Sequence, residues 1–350
     1  MFNSPLSLKT THIGSLPFDD PEKAVDLVLN YFDIPAWPQL PKFKNEEMTV
    51  QFTEGLPGFN ISKRIIDLTY PNFEQELLQF YEKYFEVIEK KDWKILENFS
   101  LSENFASSYK IFLEKTEKLG FSEVKGQITG PFTLATSLKT QNGEILIYNE
   151  DLRDLVVKFI TLKALSQALD FKNFSTKIIF LDEPGLAGFG SSSFITISKD
   201  IIISMLHEII IPLQNFNILT GIHICANTSW DMVLESKIDI FSFDSFNFYD
   251  KLIIYKNLLK AFLEKENKYL AWGVIPTDTE TLKNLTLKEI IEKFEIQLAY
   301  LSEYLKISRD FILNKSLFTP ACGLGNLSEE LALKVLRWLK DFKNYLLRKE

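Results

Sequence analysis

His223 and Cys225 stand two residues apart in Gly221-Ile222-His223-Ile224-Cys225, and the other cysteine of the chain, Cys322, stands in Thr319-Pro320-Ala321-Cys322-Gly323. On an extended strand, residues i and i+2 face the same side, so this imidazole and thiol can reach one ion together. Nitrogen and sulfur donors suit zinc. Three protein ligands with one exchangeable position is its catalytic pattern, and four strong ligands close a structural site. Asp244, in Phe241-Ser242-Phe243-Asp244, is a candidate for the remaining position, held weakly enough for an incoming thiol to displace it. A metal-bound thiol is kept as its thiolate, whereas a free thiol with a pKa of about 8.5 is mostly protonated at neutral pH. Taken singly, a lone Cys is usually a small buried hydrophobe and a lone His a satisfied core residue. It is the joint pattern, H-x-C after one strand and P-x-C-G after another, that points to zinc. His207, inside an apolar helical run, reads as structural, and His12, before Gly14-Ser15, reads equally as lining a pocket or as packing.

Eight strand-like apolar runs can position these groups: 10–15, 48–54, 124–129, 177–182, 219–224, 239–244, 269–274 and 316–321. Between them lie helical periodicities at 151–169, 200–214, 287–304 and 329–347, the last after an N-cap at Ser328. Alternating strands and helices predict a parallel sheet with crossover helices. Eight such units predict an α/β chain folded as a (β/α)8 TIM barrel, a single catalytic domain spanning 1–350, with extra helices between the second and third strands in 60–120. His12, Ser15, Glu54, Asp182, Glu183, His223, Cys225, Asp244 and Cys322 all fall at C-terminal strand ends, where barrels build active sites. A doubly wound sheet would carry G-x-G-x-x-G after an early strand, and none follows one here. Pro35, Pro38 and Pro41 make 33–45 an extended loop.

Composition narrows the class. A chain of 350 residues that is 46% hydrophobic and 13% aromatic can bury a sizeable core. A net charge of −8 offers no basic field for a phosphate backbone, so nucleic acid is not an expected partner. Neither a signal peptide nor an apolar run of about 18 to 20 residues is present, so no membrane association and a cytoplasmic location are expected. With no export signal, the two thiols are expected to be reduced rather than paired as a disulfide.

From about Thr10 to Leu339 the chain resembles the C-terminal catalytic half of the cobalamin-independent methionine synthases, in the barrel superfamily that also holds uroporphyrinogen decarboxylase. The resemblance is carried by Thr11-His12-Ile13-Gly14-Ser15, Gly126-Gln127-Ile128-Thr129-Gly130-Pro131, Leu181-Asp182-Glu183-Pro184, His223-Ile224-Cys225, Phe243-Asp244-Ser245 and Pro320-Ala321-Cys322-Gly323-Leu324, in that order. It implies a zinc-dependent methyltransferase of methionine biosynthesis, with zinc held by His223, Cys225, Asp244 and Cys322, although the family usually has Glu where Asp244 stands. It also implies a homocysteine site at Ser15, Glu54 and Asp182.

Two departures bear on the methyl donor. Ser137 falls at or near the place of a family Trp in the folate site, and the segment Gly273-Val274-Ile275-Pro276-Thr277-Asp278 lacks the family's proton-delivering His. Single-barrel relatives, the core methionine synthases, are thought to use methylcobalamin or a methylated corrinoid protein, and this chain fits that description better than a folate-dependent one. The alternatives are a methylcorrinoid methyltransferase acting on another thiol such as coenzyme M, and a non-catalytic protein that binds zinc or a corrinoid.

Overall fold

The computed structural model describes residues 4–348. Its centre is a sheet of six parallel strands: β1 (Glu123–Thr129), β2 (Thr176–Asp182), β3 (Leu219–Ile224), β4 (Ile240–Phe243), β5 (Tyr269–Ile275) and β6 (Ser316–Pro320). Neighbours in the sheet are also neighbours in sequence. Runs such as Ile178-Ile179-Phe180-Leu181 are buried on both faces, as strands flanked by crossover helices must be.

The first two expected strands differ from the other six. The segment 10–15 makes only isolated bridges, Thr10 to Phe318 and Ser15 to Gln39, supported by hydrogen bonds from Thr11 N to Phe318 O at 3.1 Å and from Phe318 N to Lys9 O at 2.9 Å. The expectation of a strand at 48–54 is incorrect. That segment folds into successive turns, with Val50 N and Gln51 N donating to Glu47 O, and Thr53 N and Oγ1 donating to Val50 O. Local bonds of this kind satisfy the backbone without a ladder. The Pro-rich loop takes the expected place in the sheet order: Ile34 N donates to Thr10 O at 3.0 Å, and Lys125 N on β1 donates to Pro35 O at 2.9 Å. Because Pro35 has no N–H, pairing there cannot extend into a regular strand.

Alternation along the strands sorts the inward residues by height. Ile178, Phe180, Ile240, Tyr269, Ala271 and Leu317 form a separate buried apolar cluster with Leu6 and Ile34. Two residues further along the same faces come Asp182, Ser242 and Thr319, and His223 stands two residues beyond Gly221, all toward the C-terminal strand ends. A Cβ on Gly221 would collide with the Phe180 ring, so the glycine makes room for a large side chain on the floor.

Helices cover the outside. Those expected from periodicity appear as Glu150–Asp170, Lys199–Asn215, Leu287–Leu305 and Glu329–Leu347, and Ser328 Oγ accepts Leu331 N as the N-cap of the last. The expected extra helices lie in 60–120, as Phe73–Ile88, a 3-10 helix Trp93–Phe99, and Tyr109–Leu119. The helix Glu150–Asp170 is buried nearly all round because Trp93–Phe99 and Lys199–Asn215 both pack on it. Among the described residues, no helix is long and apolar enough to cross a membrane.

Candidate metal centre and active site

His223 leaves β3 facing inward and pairs in register with Ser242 on β4. Its Nδ1 lies 3.0 Å from Ser242 Oγ, and its Nε2, also buried, has no hydrogen-bond partner among the described residues. Cys225 follows one residue after β3 and Cys322 two residues after β6, both half-buried and free of disulfides. One imidazole nitrogen and the two sulfurs lie within 4.8 Å of one another. An orphaned ring nitrogen beside two thiols is the donor set that zinc takes, and the Nδ1 contact is the kind that orients a metal-ligating imidazole. The residues therefore fit the metal inferred from the sequence.

The two thiols are shifted in opposite directions. A hydrogen bond from the Cys322 thiol, and then the nearby His223 imidazole, holds Cys225 down to about 4 against the opposing effect of burial. The same contact with Cys225, together with burial, pushes Cys322 far above the usual thiol range.

Asp244 lies outside the group of three. It is the N-cap of the helix Ser245–Leu252, with Oδ1 accepting Asn247 N at 2.9 Å and Oδ2 accepting Asn247 Nδ2 at 2.7 Å. Burial pushes its carboxyl up, and these bonds oppose the shift.

The three metal-ligand candidates open onto a cavity of about 280 Å³ that Ser15 and Asp182 also line. Ser15 is clasped by the segment after Cys322: Leu324 N donates to Ser15 O at 2.8 Å and Gly325 N to Ser15 Oγ at 3.3 Å. Since Oγ already accepts, its proton is available for a ligand. Asp182 is buried with Oδ1 unpartnered. Desolvation pushes its carboxyl up to about 6, against the opposing charge of Lys125.

Glu183 points the other way, as adjacent strand residues do. It accepts Phe132 N at 2.9 Å, Thr133 N at 2.8 Å and Thr133 Oγ1 at 2.6 Å, and burial pushes it up to about 7. It thus anchors the helix Pro131–Ser137 that follows Thr129-Gly130. In that helix, Ser137 Oγ donates to Thr133 O at 2.7 Å.

Glu54 is not brought to the metal cavity. Its carboxylate accepts Ser102 Oγ at 2.7 Å and lines a separate space of about 600 Å³ with Phe80, Lys83 and Phe99. His12 resolves to packing: it stacks on Phe32 at 4.7 Å, its Nε2 lies 3.0 Å from Ala36 O, and burial pushes its pKa down to about 3. His207 sits in the helix Lys199–Asn215, away from the cavity lining.

Sequence reasoning missed Gln39, Glu46 and Met48 in the cavity wall, and the fully buried Lys125 on β1. Only Lys125 left a signal, as a lysine inside a strand-like run.

No known family model matches the chain. A curated methionine synthase from Methanocaldococcus jannaschii is 25% identical over 217 residues, which is 61% of this chain and 62% of that protein. The match thus spans less than two thirds of the relative's own length. The solved structure of a B12-independent methionine synthase from Shewanella sp. W3-18-1, in complex with selenomethionine, shares the fold with a TM-score of 0.58 over 98% of both chains, at 16% identity. The chain is thus similar to methionine synthases, in sequence across its matched segment and in fold along nearly its whole length.

Proposed function

We propose that this chain is a zinc-dependent methyltransferase that makes methionine by methyl transfer to the thiolate of homocysteine. The observation that carries the reading is the meeting of a His223 ring nitrogen with the Cys225 and Cys322 sulfurs within 4.8 Å, in an imidazole whose buried Nε2 has no hydrogen-bond partner among the described residues. The similarity to a methionine synthase supports the choice of thiol. In this reading the six-stranded sheet and the segments 8–11 and 34–36 form one (β/α)8 barrel, a single catalytic domain over 1–350.

His223, Cys225 and Cys322 would hold the metal, and Asp244 serves as a helix cap. Zinc, when bound, would supply the positive charge that keeps a substrate thiol deprotonated at neutral pH. Asp182, with Oδ1 free, receives the substrate ammonium, and the Ser15 hydroxyl donates to its carboxylate. Ile13, Met48 and Pro184 add apolar wall beside the nucleophile, which would limit water around it and help orient the methyl donor. Glu54, bonded to Ser102, has no part in this arrangement.

For the donor, the departures at Ser137 and 273–278 favour methylcobalamin or a methylated corrinoid protein over methyltetrahydrofolate. The Shewanella protein, named B12-independent, stands against that choice. The test is methionine formation from homocysteine by the zinc-loaded protein with each donor in turn, beside Cys322→Ala. Turnover with methylcobalamin that the variant loses supports the full reading, and turnover with the folate overturns its donor. No methionine from either donor, with zinc bound and coenzyme M methylated instead, overturns the choice of thiol.

A further inference from the structure

Below the metal cavity the barrel interior holds a buried cation. Lys125 is fully buried on β1, with Nζ 4.6 Å from the centroid of the Phe180 ring. Its ammonium donates to the Ile13 carbonyl oxygen at 3.0 Å and to Gln127 Oε1 at 3.3 Å. Gln127 is itself fixed, since its Nε2 donates to Trp37 O at 2.8 Å and its main-chain oxygen accepts Gln167 Nε2 at 3.0 Å. Lys125 is thus held from two sides.

Asp182 stands on the neighbouring strand β2, facing the same interior. The two charges act on each other, yet among the described residues no ion pair joins them, and Asp182 Oδ1 remains without a partner. A buried carboxylate with no counter-charge is strongly disfavoured, whereas one already paired with a lysine attracts a second ammonium less strongly. The arrangement avoids both. Two of the three Lys125 ammonium hydrogens go to Ile13 O and Gln127 Oε1, and Nζ is held over the Phe180 ring, so the cation compensates Asp182 without an ion pair and leaves Oδ1 open.

We propose that Lys125 is a positioning residue for the amino-acid end of the substrate, keeping Asp182 as an uncapped carboxylate that a ligand ammonium can reach. This rests on the functional reading above and adds to it the residue that sets head-group recognition. Lys125 touches neither the substrate nor the metal ligands, so its effect is on recognition of the ammonium and not on the thiol.

The test is calorimetric titration of the zinc-loaded full chain with L-homocysteine and with 2-mercaptoethanol, a thiol that lacks the amino-acid head. For Lys125→Met we expect homocysteine to bind on the order of ten- to a hundredfold more weakly. The zinc content and the affinity for 2-mercaptoethanol should stay as in the wild type. In an Asp182→Asn background the same Lys125→Met change should cost little further affinity, because the two act as a unit. Should Lys125→Met alone fail to fold, the double variant, which removes the buried charge with its compensator, should recover the melting temperature. Unchanged homocysteine binding, equal loss of both thiols, additive losses in the double variant, or a double variant as unstable as Lys125→Met would each overturn the inference. A wild-type protein that binds homocysteine no better than 2-mercaptoethanol would instead overturn the functional reading.

Discussion

Ser242 Oγ lies 3.0 Å from His223 Nδ1 across the β3–β4 ladder, and the opposite ring nitrogen is left unpartnered in the cavity. The strand register therefore orients the imidazole before any metal arrives. Ser242→Ala should weaken zinc affinity roughly ten- to a hundredfold, as loss of such an outer contact does elsewhere. Competition against a chromogenic chelator measures this, and an unchanged affinity would show that packing alone orients the ring. Cys322→Ala, which removes a ligand outright, should cost more than Ser242→Ala in the same assay.

Asp244 and Asn247 bond to each other through main chain and side chain, and this local arrangement occupies the carboxylate. Asp244→Ala should lower stability by about 1 kcal/mol, the usual cost of losing an N-cap. Zinc content should not change. Denaturant unfolding and metal analysis on the same preparation separate the two roles, and loss of zinc with stability intact would make Asp244 a ligand after all.

A Cβ on Gly323 would collide with Ser15 Oγ, which could turn away only by giving up the bond from Gly325 N. Gly323→Ala should cost about 1 to 3 kcal/mol, the range for overpacking, and should weaken homocysteine binding. Adding Ser15→Ala should recover the stability without the binding. If the single variant melts like the wild type, the clasp is looser than its geometry implies.

Glu183 carries a pH signature. Burial raises its carboxyl from 4.5 to about 7, so the folded state holds the proton more tightly than the unfolded chain. The stability this confers is fully present below about pH 4.5 and is lost as pH rises through about 7. The melting temperature of the wild type relative to Glu183→Gln should therefore fall between about pH 5 and about pH 8. A difference that is flat or rises with pH would show that the bonds from Phe132 and Thr133 outweigh burial.

Much was legible in the sequence because it depends on neighbours along the chain. The helix Glu329–Leu347 and its Ser328 cap follow from apolar spacing and one hydroxyl. The i, i+2 spacing of His223 and Cys225 follows from strand geometry, and so does the opposite facing of Asp182 and Glu183. The Asp244-x-x-Asn247 cap is equally local, and an aspartate at that place suits a helix cap as well as a ligand position.

Tertiary structure decided what depends on distant segments. That 34–36, and not 48–54, lies between Thr10 and β1 rests on single backbone bonds from Ile34 and Lys125, which no propensity around Pro35 encodes. Glu54 went to Ser102 because the inserted segment folds back over it. Cys322 meets His223 and Cys225 only because the curved sheet brings the ends of β3 and β6 across one cavity, and Lys125 compensates Asp182 only because two strands turn both side chains into the same buried interior. Residue type and spacing along one strand determined the chemistry available, and chain closure determined which of those residues share a site.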